Sequence, residues 1–528
     1  MGSMKRQRCL VSVFVVLWMA LASPAVAQDD RPTMADFMGL CVHTVMFNAD
    51  AYTAVTRQVR DYHGANWDLG EDPATLPQWP LAENGVNWDR LYGTWTELGY
   101  DVLVSLMFTR LPPESWADLA DHAGAYGESF AAYFGPSGQG TVPTVQIGNE
   151  PTNWDDAQFR ALFENVARGV RAGDPEMRIA TCAAHARASD TYSKGLTDVF
   201  GGLQDLYDVI TVNAYALVEG WPTWRRSFPE DPAIDFLTRI QEIIDWRDTH
   251  APGKEVWVSE FGWDSSTQEP DPESQFAEFE DVSDRVQALY IVRTWLVFSA
   301  MDLDRAYLYW FNDDDRPQLH GSSGLTRNGE PKPSFHATAH LLSTLGASRL
   351  SRVMQQTAGE AYVYAYADPA NPDQEVWVAW SPTGEEREVP FTVALDGWQV
   401  DRAEQMPFTA DAVTVEVETT DEGGRFTLSE APTYLWVSRT APPADAGLPA
   451  PDAAPVVGDA GPPDGQDAAP MDGADTMPPA PADAGGAMMT ETTTQEDGGC
   501  DCSTSGTPAT GLLWVGLLGL GVRRRRKV

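Results

Sequence analysis

The chain has 528 residues and a formal net charge of −41, and 43% of its residues are hydrophobic. This length allows two or three domains with a large core. Residues 28–440 alone hold 28 basic and 65 acidic side chains, a charge that repels nucleic acids and other polyanions. We therefore expect no nucleic-acid partner and a neutral substrate.

The first 27 residues have the pattern of a secretory signal peptide. Lys5, Arg6 and Arg8 precede an apolar run, and Ala25-Val26-Ala27 supplies small residues before Gln28. This pattern predicts cleavage after Ala27 and export, with an uncleaved anchor as the alternative. The five cysteines match neither a disulfide framework nor a zinc site. We expect no metal and no cofactor: Asp313-Asp314-Asp315 fits a solvated loop, with a calcium site as the alternative.

Residues 28–346 alternate between short apolar runs and longer amphipathic runs, which predicts strands joined by helical crossovers. The strand-like runs begin at Phe37, Gln58, Asp101, Thr144, Arg178, Asp208, Glu255 and Arg305. The helix-like runs begin at Trp88, Ser115, Asp156, Asp235, Val282 and Ser334. Eight such strands predict an α/β fold of the (β/α)8 TIM barrel type. An open doubly wound sheet is the rival, but no glycine-rich phosphate loop follows the first strand.

Residues 347–440 change to a period of two, with runs such as "EAYVYAYAD" and "PTYLWVSR" separated by turn residues. This pattern predicts a small all-β sandwich domain. No carboxylate has a special place in it. We expect a structural role, with carbohydrate binding as the alternative.

Residues 441–499 contain no Lys or Arg and are rich in Pro, Ala, Gly and Asp, which predicts a disordered acidic linker. Residues 500–528 contain Cys500 and Cys502, the apolar run Gly511–Val522 and the basic cluster Arg523–Lys527. The apolar run is shorter than the about 20 residues that span a bilayer. The three-part pattern resembles the myxobacterial-type C-terminal sorting tag. The resemblance implies cell-envelope sorting machinery as a partner, and either display at the cell surface or outer membrane, or secretion after C-terminal processing.

Two glutamates follow strong strands of the predicted barrel. Glu150 ends "TVQIGNE" on the fourth strand, and Glu260 lies in "EVWVSEFGW" on the seventh. In a barrel both would project into the C-terminal mouth, where the loops carry chemistry. Paired carboxylates in one cavity perform glycoside hydrolysis, one as a protonated acid and the other ionised. The alternative is that Glu150 is a solvated strand-end acid and Pro151 only ends the strand.

The stretches "GNEP" and "SEFGW" on these two strands resemble the retaining glycoside hydrolases of clan A, with features of families 5 and 39. The resemblance implies that Glu150 is the acid/base, Glu260 the nucleophile, and Asn149 the ligand of the sugar 2-hydroxyl. It also implies sugar or nucleophile contacts for Arg60, His185, Tyr215 and Trp310. The sixth strand carries Asn213-Ala214-Tyr215 in place of an HxY motif.

His43 and Trp263, which follow the first and seventh strands, are further substrate-binding candidates. Aromatic rings after strands can stack on sugar faces. Packing in the core is the alternative for each of them. Asp61 and His63, near the end of the second strand, are weaker candidates for binding sugar hydroxyls.

The sequence as a whole predicts a secreted, surface-displayed retaining glycoside hydrolase. It would act as a monomer and cleave β-glycosidic bonds of a neutral poly- or oligosaccharide. One alternative is a carbohydrate-binding barrel without catalysis. Another is a transglycosylase that uses the same two glutamates.

Overall fold

The computed structural model describes residues 31–42 and 49–440. The predicted signal peptide, acidic linker and sorting tag lie outside the described residues, and so does His43. None of the helices within 31–42 and 49–440 combines the length and apolar character needed to cross a membrane.

Eight parallel strands form a closed barrel. They are β1 (Met38–Cys41), β2 (Gln58–Gly64), β3 (Asp101–Met107), β4 (Thr144–Ile147), β5 (Arg178–His185), β6 (Val209–Asn213), β7 (Glu255–Phe261) and β8 (Arg305–Leu308). Each strand pairs with the next in chain order, and β8 pairs with β1 to complete the ring. The predicted TIM barrel is therefore confirmed, and the open doubly wound sheet is excluded. The first strand is shorter than its apolar run predicted.

Ten α-helices lie among the described residues, most of them in the barrel's outer layer. They are α1 (Met34–Phe37), α2 (Ala49–Tyr52), α3 (Ala65–Leu69), α4 (Trp88–Glu97), α5 (Leu119–Phe134), α6 (Asp156–Gly173), α7 (Leu196–Phe200), α8 (Phe236–His250), α9 (Asp284–Ser299) and α10 (Pro333–Leu345). α6 begins with a capping box, in which Asp155 and Gln158 each accept a hydrogen bond from the other's backbone N–H. Its buried residues recur every three or four positions, so one face packs on the barrel.

A domain of two antiparallel sheets follows the barrel. Its strands are β9 (Arg349–Thr357), β10 (Ala361–Ala367), β11 (Gln374–Trp380), β12 (Val389–Val393), β13 (Trp398–Gln405), β14 (Val413–Thr414), β15 (Glu418–Thr420), β16 (Gly423–Leu428) and β17 (Thr433–Arg439). One sheet has the order β9-β10-β11-β17-β13-β14, and the other β12-β16-β15. Trp377, Phe426 and Leu435 belong to the apolar core of this domain. The predicted β-sandwich is confirmed.

The barrel and the two-sheet domain belong to one compact unit, which ends at Arg439. A buried ion pair of the barrel, between Glu230 of the β6–α8 loop and Arg293 of α9, lies at their contact. Trp380 Nε1 donates to Glu230 at 2.7 Å, and Arg293 Nη1 donates to the carbonyl oxygen of Thr383 at 2.8 Å. The six-stranded sheet, which carries Trp380, is therefore tied to a loop at the barrel's C-terminal end.

We predict that Arg293→Met lowers the free energy of unfolding by about 3–5 kcal/mol, because it leaves Glu230 charged and unpaired in the core. The matched control is Arg168→Met. Arg168 pairs with Glu164 at the surface with 61% of its side chain exposed, and such pairs contribute about 1 kcal/mol or less. Urea and thermal unfolding measure both variants. Equal losses in the two would contradict a structural role for the buried pair.

Candidate active site

Glu150 and Glu260 come from the C-terminal ends of β4 and β7, at the same mouth of the barrel. β4 ends at Ile147, and Gly148 turns the chain with φ +84°, a conformation that side chains other than glycine rarely adopt. After this turn Asn149 still pairs with β5, because its carbonyl oxygen accepts from Ala183 N at 3.0 Å. The turn therefore delivers the next side chain, Glu150, to the mouth.

Glu260 is held by three hydrogen-bond donors. Its Oε1 accepts from Arg60 Nη1 at 2.9 Å and from Tyr62 OH at 2.8 Å, and its Oε2 accepts from Tyr215 OH at 2.9 Å. The carboxylate is only 3% exposed. Burial, together with the charge of Glu260, holds the pKa of Tyr215 well above its ordinary value, so this phenol keeps its proton and donates. One cation and two phenols therefore supply the hydrogen bonds that the two oxygens of Glu260 accept.

Arg60 lies inside the barrel with no exposed surface. Besides Glu260 on β7, it donates to two residues at the end of β4. Its Nε and Nη2 donate to Gln146 Oε1 at 3.0 and 2.8 Å, and Nη2 also donates to Asn149 Oδ1 at 2.8 Å. One guanidinium therefore contacts both Glu260 and the residue that precedes Glu150. A buried cation requires such complete pairing.

Glu150 has a different environment. Its Oε1 accepts one hydrogen bond, from Asn213 Nδ2 at 2.9 Å, and Asn213 is in turn held by Ser259 Oγ at 2.7 Å. Burial and the negative charge of Glu260 raise the pKa of Glu150 to about 8 from an ordinary value of 4.5. Near neutral pH the pocket thus contains one protonated and one ionised carboxyl group. This is the arrangement that acid-assisted displacement at a carbon centre requires.

The remaining predicted residues divide into three groups. Trp310 follows β8, is partly exposed, and stacks on Tyr309 with ring centroids 4.8 Å apart. His185 ends β5 half-buried, and its Nδ1 accepts from Arg187 N at 3.0 Å without contacting either glutamate. Trp263 is a correction: it is 1% exposed, donates to Ser227 O at 2.9 Å and packs in the core, so no face is free for a sugar.

Asp61 and His63 are a second correction, because they point away from the mouth. His63 is buried and contacts Tyr92 and Asp68 at 2.8 and 2.5 Å, and Tyr92 donates to Asp61 at 2.9 Å. Their neighbours on α3 and α4 place them outside the barrel ring. Successive side chains of a strand alternate between its two faces, so Arg60 and Tyr62 face inward while Asp61 and His63 face the helices.

Sequence reasoning missed three residues that the structure places beside the glutamates: Tyr62, Gln146 and Asn213. Gln146 and Asn213 lie in strands whose other residues are mostly apolar, whereas Tyr62 lies in β2, where most residues are polar. Tyr62 lies two positions after Arg60, and Gln146 lies four before Glu150, on the same strand faces. Polar residues at alternate positions of an apolar strand were the available signal. Among the described residues, no cluster of three or more His, Cys, Asp or Glu could hold a metal ion.

We predict that Glu150→Gln becomes more stable relative to wild type as pH rises from about 4.5 to 8. The folded protein keeps a proton on Glu150 in this range while the unfolded chain releases it, so the wild type loses stability with rising pH. Gln does not ionise and avoids this loss. Melting temperatures at pH 4 to 9 measure the difference, which should reach several degrees. The control Glu164→Gln should give a constant difference, and the same result for Glu150→Gln would refute the raised pKa.

Comparisons with known proteins are consistent with this geometry. No family model matches the sequence, and a search of curated proteins found no match. Among solved structures, a family 39 glycoside hydrolase from Bacteroides cellulosilyticus WH2 has a TM-score of 0.58 at 18% identity, over 79% of this chain and 83% of that chain. A glucosidase from Croceicoccus marinus has a TM-score of 0.51 at 13% identity, over 78% and 97%. AbfB, a family 51 α-L-arabinofuranosidase from Bifidobacterium longum, has a TM-score of 0.51 at 12% identity, over 77% and 98%. The chain therefore shares its fold with glycoside hydrolases.

Proposed function

We propose that the protein is a retaining glycoside hydrolase that cleaves β-glycosidic bonds of a neutral poly- or oligosaccharide. One observation carries the proposal: Glu150 and Glu260 share a pocket but have opposite environments. Glu260 accepts from a cation and two phenols, whereas Glu150 is half-buried beside a negative charge with one amide donor. In glycosidases this reaction is performed by two carboxyl groups, one protonated and the other ionised.

In the first step Glu260 attacks the anomeric carbon, and the bond from that carbon to the leaving oxygen breaks. Glu150 gives its proton to the leaving oxygen, so the leaving group departs as a neutral alcohol. The product is a glycosyl ester of Glu260. As the negative charge of Glu260 is consumed, less repulsion acts on Glu150, whose pKa then falls toward that of an ordinary carboxyl group.

In the second step Glu150, now ionised, removes a proton from a water molecule. The resulting oxygen attacks the anomeric carbon, and the ester bond to Glu260 breaks. Glu150 is protonated again and Glu260 is ionised again, so the cycle closes without a cofactor. Two inversions at the same carbon give net retention.

Three features support a neutral carbohydrate as substrate. The body of the protein is strongly acidic and would repel an anionic polymer. Aromatic side chains remain exposed after the strands of the barrel, with Trp310 after β8 and Trp221 after β6, the latter 70% exposed. The structural neighbours include a glucosidase and a family 39 glycoside hydrolase.

The test begins with wild-type protein on neutral β-glucans, mannans and xylans and on aryl β-glycosides. We predict that Glu150→Ala loses about 10²–10⁴-fold on substrates with poor leaving groups but keeps activity on dinitrophenyl glycosides, which need no proton. Added azide should rescue it and give a glycosyl azide of retained configuration. Glu260→Ala should be inactive on all substrates, and azide should give the inverted product.

Nuclear magnetic resonance of the anomeric proton distinguishes the two azide products, and surface Glu164→Ala is the control. If the two phenotypes were exchanged, the roles assigned here would be wrong although the site would stand. Binding without turnover in the wild type would instead favour a carbohydrate-binding barrel. Transfer of the glycosyl group to an added sugar in preference to water would favour a transglycosylase.

We further propose that the enzyme is exported and held at the cell surface or outer membrane, or released after C-terminal processing. The sequence pattern of residues 500–528 supports this. Deleting these residues should move the activity from the cells to the medium, measured in both fractions with an aryl glycoside. Full-length protein that is already free in the medium and uncut near Cys500 would argue against the sorting tag.

A further inference from the structure

A histidine that none of the sequence motifs indicates lies close to Glu260. His320 belongs to the segment between β8 and α10. Its ring contacts Tyr215, with centroids 4.7 Å apart, and Tyr309, with centroids 5.2 Å apart. Tyr215 donates directly to Glu260, so only one side chain separates His320 from the carboxylate expected to attack the sugar. His320 therefore forms part of the wall of the pocket.

The backbone of His320 is held by Asp264, which lies four residues after Glu260. Asp264 is buried and accepts from His320 N at 3.2 Å, from Ser322 N at 3.2 Å and from Ser323 Oγ at 2.7 Å. His320 has φ +63°, a left-handed conformation that costs a non-glycine residue about 1–3 kcal/mol. These hydrogen bonds stabilise the strained backbone conformation and so fix the position of the His320 ring.

Arg226 connects Asp264 to the other side of the same pocket wall. Its Nη1 lies 3.0 Å from Asp264 Oδ2 and donates to Gly262 O at 2.9 Å. Its guanidinium lies over the ring of Tyr215, 4.7 Å from the centroid. The ring of Tyr215 therefore contacts both His320 and Arg226. Asp264 holds the backbone of His320 and the guanidinium of Arg226.

The ring of His320 has hydrogen-bonding capacity that the described residues do not use. Nδ1 is buried and has no partner among them. Nε2 is not buried and also has no hydrogen bond within 31–42 and 49–440. A buried N–H without an acceptor is rarer than a buried acceptor without a donor, so we expect the proton on Nε2. That nitrogen can then donate to a ligand in the pocket.

The charge of the ring suits an uncharged ligand. Burial and the nearby Arg226 lower the pKa of His320 to about 4, while Asp264 and Glu260 act in the opposite direction. The imidazole is neutral across the range in which Glu150 remains protonated. It adds no positive charge that would compete with Tyr215 or Arg60 for Glu260.

We propose that His320 binds a hydroxyl group of the sugar beside Glu260 through Nε2, and that Asp264 is the positioning residue that holds it there. This inference rests on the proposed glycosidase function. It adds a specificity contact supplied by the loop after β8, far in sequence from both glutamates.

The test uses an aryl glycoside that the wild type hydrolyses and the set of its monodeoxy analogues, with His320→Ala, His320→Gln and Asp264→Asn. His320→Ala should lower kcat/KM about 10–50-fold on the parent glycoside, because a hydrogen bond to a substrate hydroxyl is lost. On one monodeoxy analogue it should equal the wild type. His320→Gln, which keeps an N–H donor at a similar reach, should recover to within about threefold.

Three further results distinguish a sugar-binding role of His320 from a purely structural one. Asp264→Asn should lose the same selectivity, and the His320→Ala/Asp264→Asn double variant should be no more than about threefold worse than His320→Ala alone. The pH–rate limbs should stay unchanged, since Glu150 and Glu260 set them. The control is His340→Ala: this half-buried histidine of α10 lies 3.3 Å from Glu404, away from the pocket, and should change melting temperature without changing selectivity.

Each outcome supports or overturns the proposal. A His320→Ala variant with wild-type kcat/KM, or with equal losses on all monodeoxy analogues, would overturn it while leaving the glycosidase function intact. A wild type without activity on any glycoside would overturn the proposed function and this inference together.

Discussion

One buried cation organises the interior of the barrel mouth. The guanidinium of Arg60 has no contact with solvent, so every interaction that stabilises its charge must come from the protein. It pairs with the carboxylate of Glu260 on β7 and donates to the side-chain carbonyl oxygens of Gln146 and Asn149 at the end of β4. One side chain of β2 therefore contacts the ends of two other strands, β4 and β7.

This pairing also makes the two glutamates unequal. Glu260 receives the cation, so its charge is compensated, and Tyr62 and Tyr215 complete its hydrogen bonds. Glu150 then faces a buried negative charge with only Asn213 as a donor. Keeping its proton avoids repulsion between the two carboxylates, so the pKa of Glu150 is raised. The position of Arg60 therefore gives the two glutamates different electrostatic environments before any substrate is bound.

Sequence reasoning predicted the features that depend on strand periodicity and failed where tertiary packing decides. All eight barrel strands and both glutamates were predicted, because an acid at the end of an apolar strand is visible in the sequence. β9 and β13 were missed because both carry polar residues at exposed positions, such as Arg352 and Asp401. Whether Trp263 faces the pocket or the core depends on the course of the chain after β7. His320 reaches the site from a loop whose path no local pattern encodes.

The two-sheet domain contacts the same loop, between β6 and α8, that carries Tyr215. Fifteen residues after Tyr215 the β6–α8 loop reaches Glu230, which pairs with Arg293 and accepts from Trp380 of the six-stranded sheet. Gly384 of that domain lies so close to the loop that a Cβ atom there would be 2.8 Å from Phe228. The loop is thus held by Glu260 at Tyr215, by Asp264 at Arg226 and by the six-stranded sheet at Glu230. A domain without catalytic carboxylates can therefore still determine how rigidly the phenol of Tyr215 is presented to Glu260.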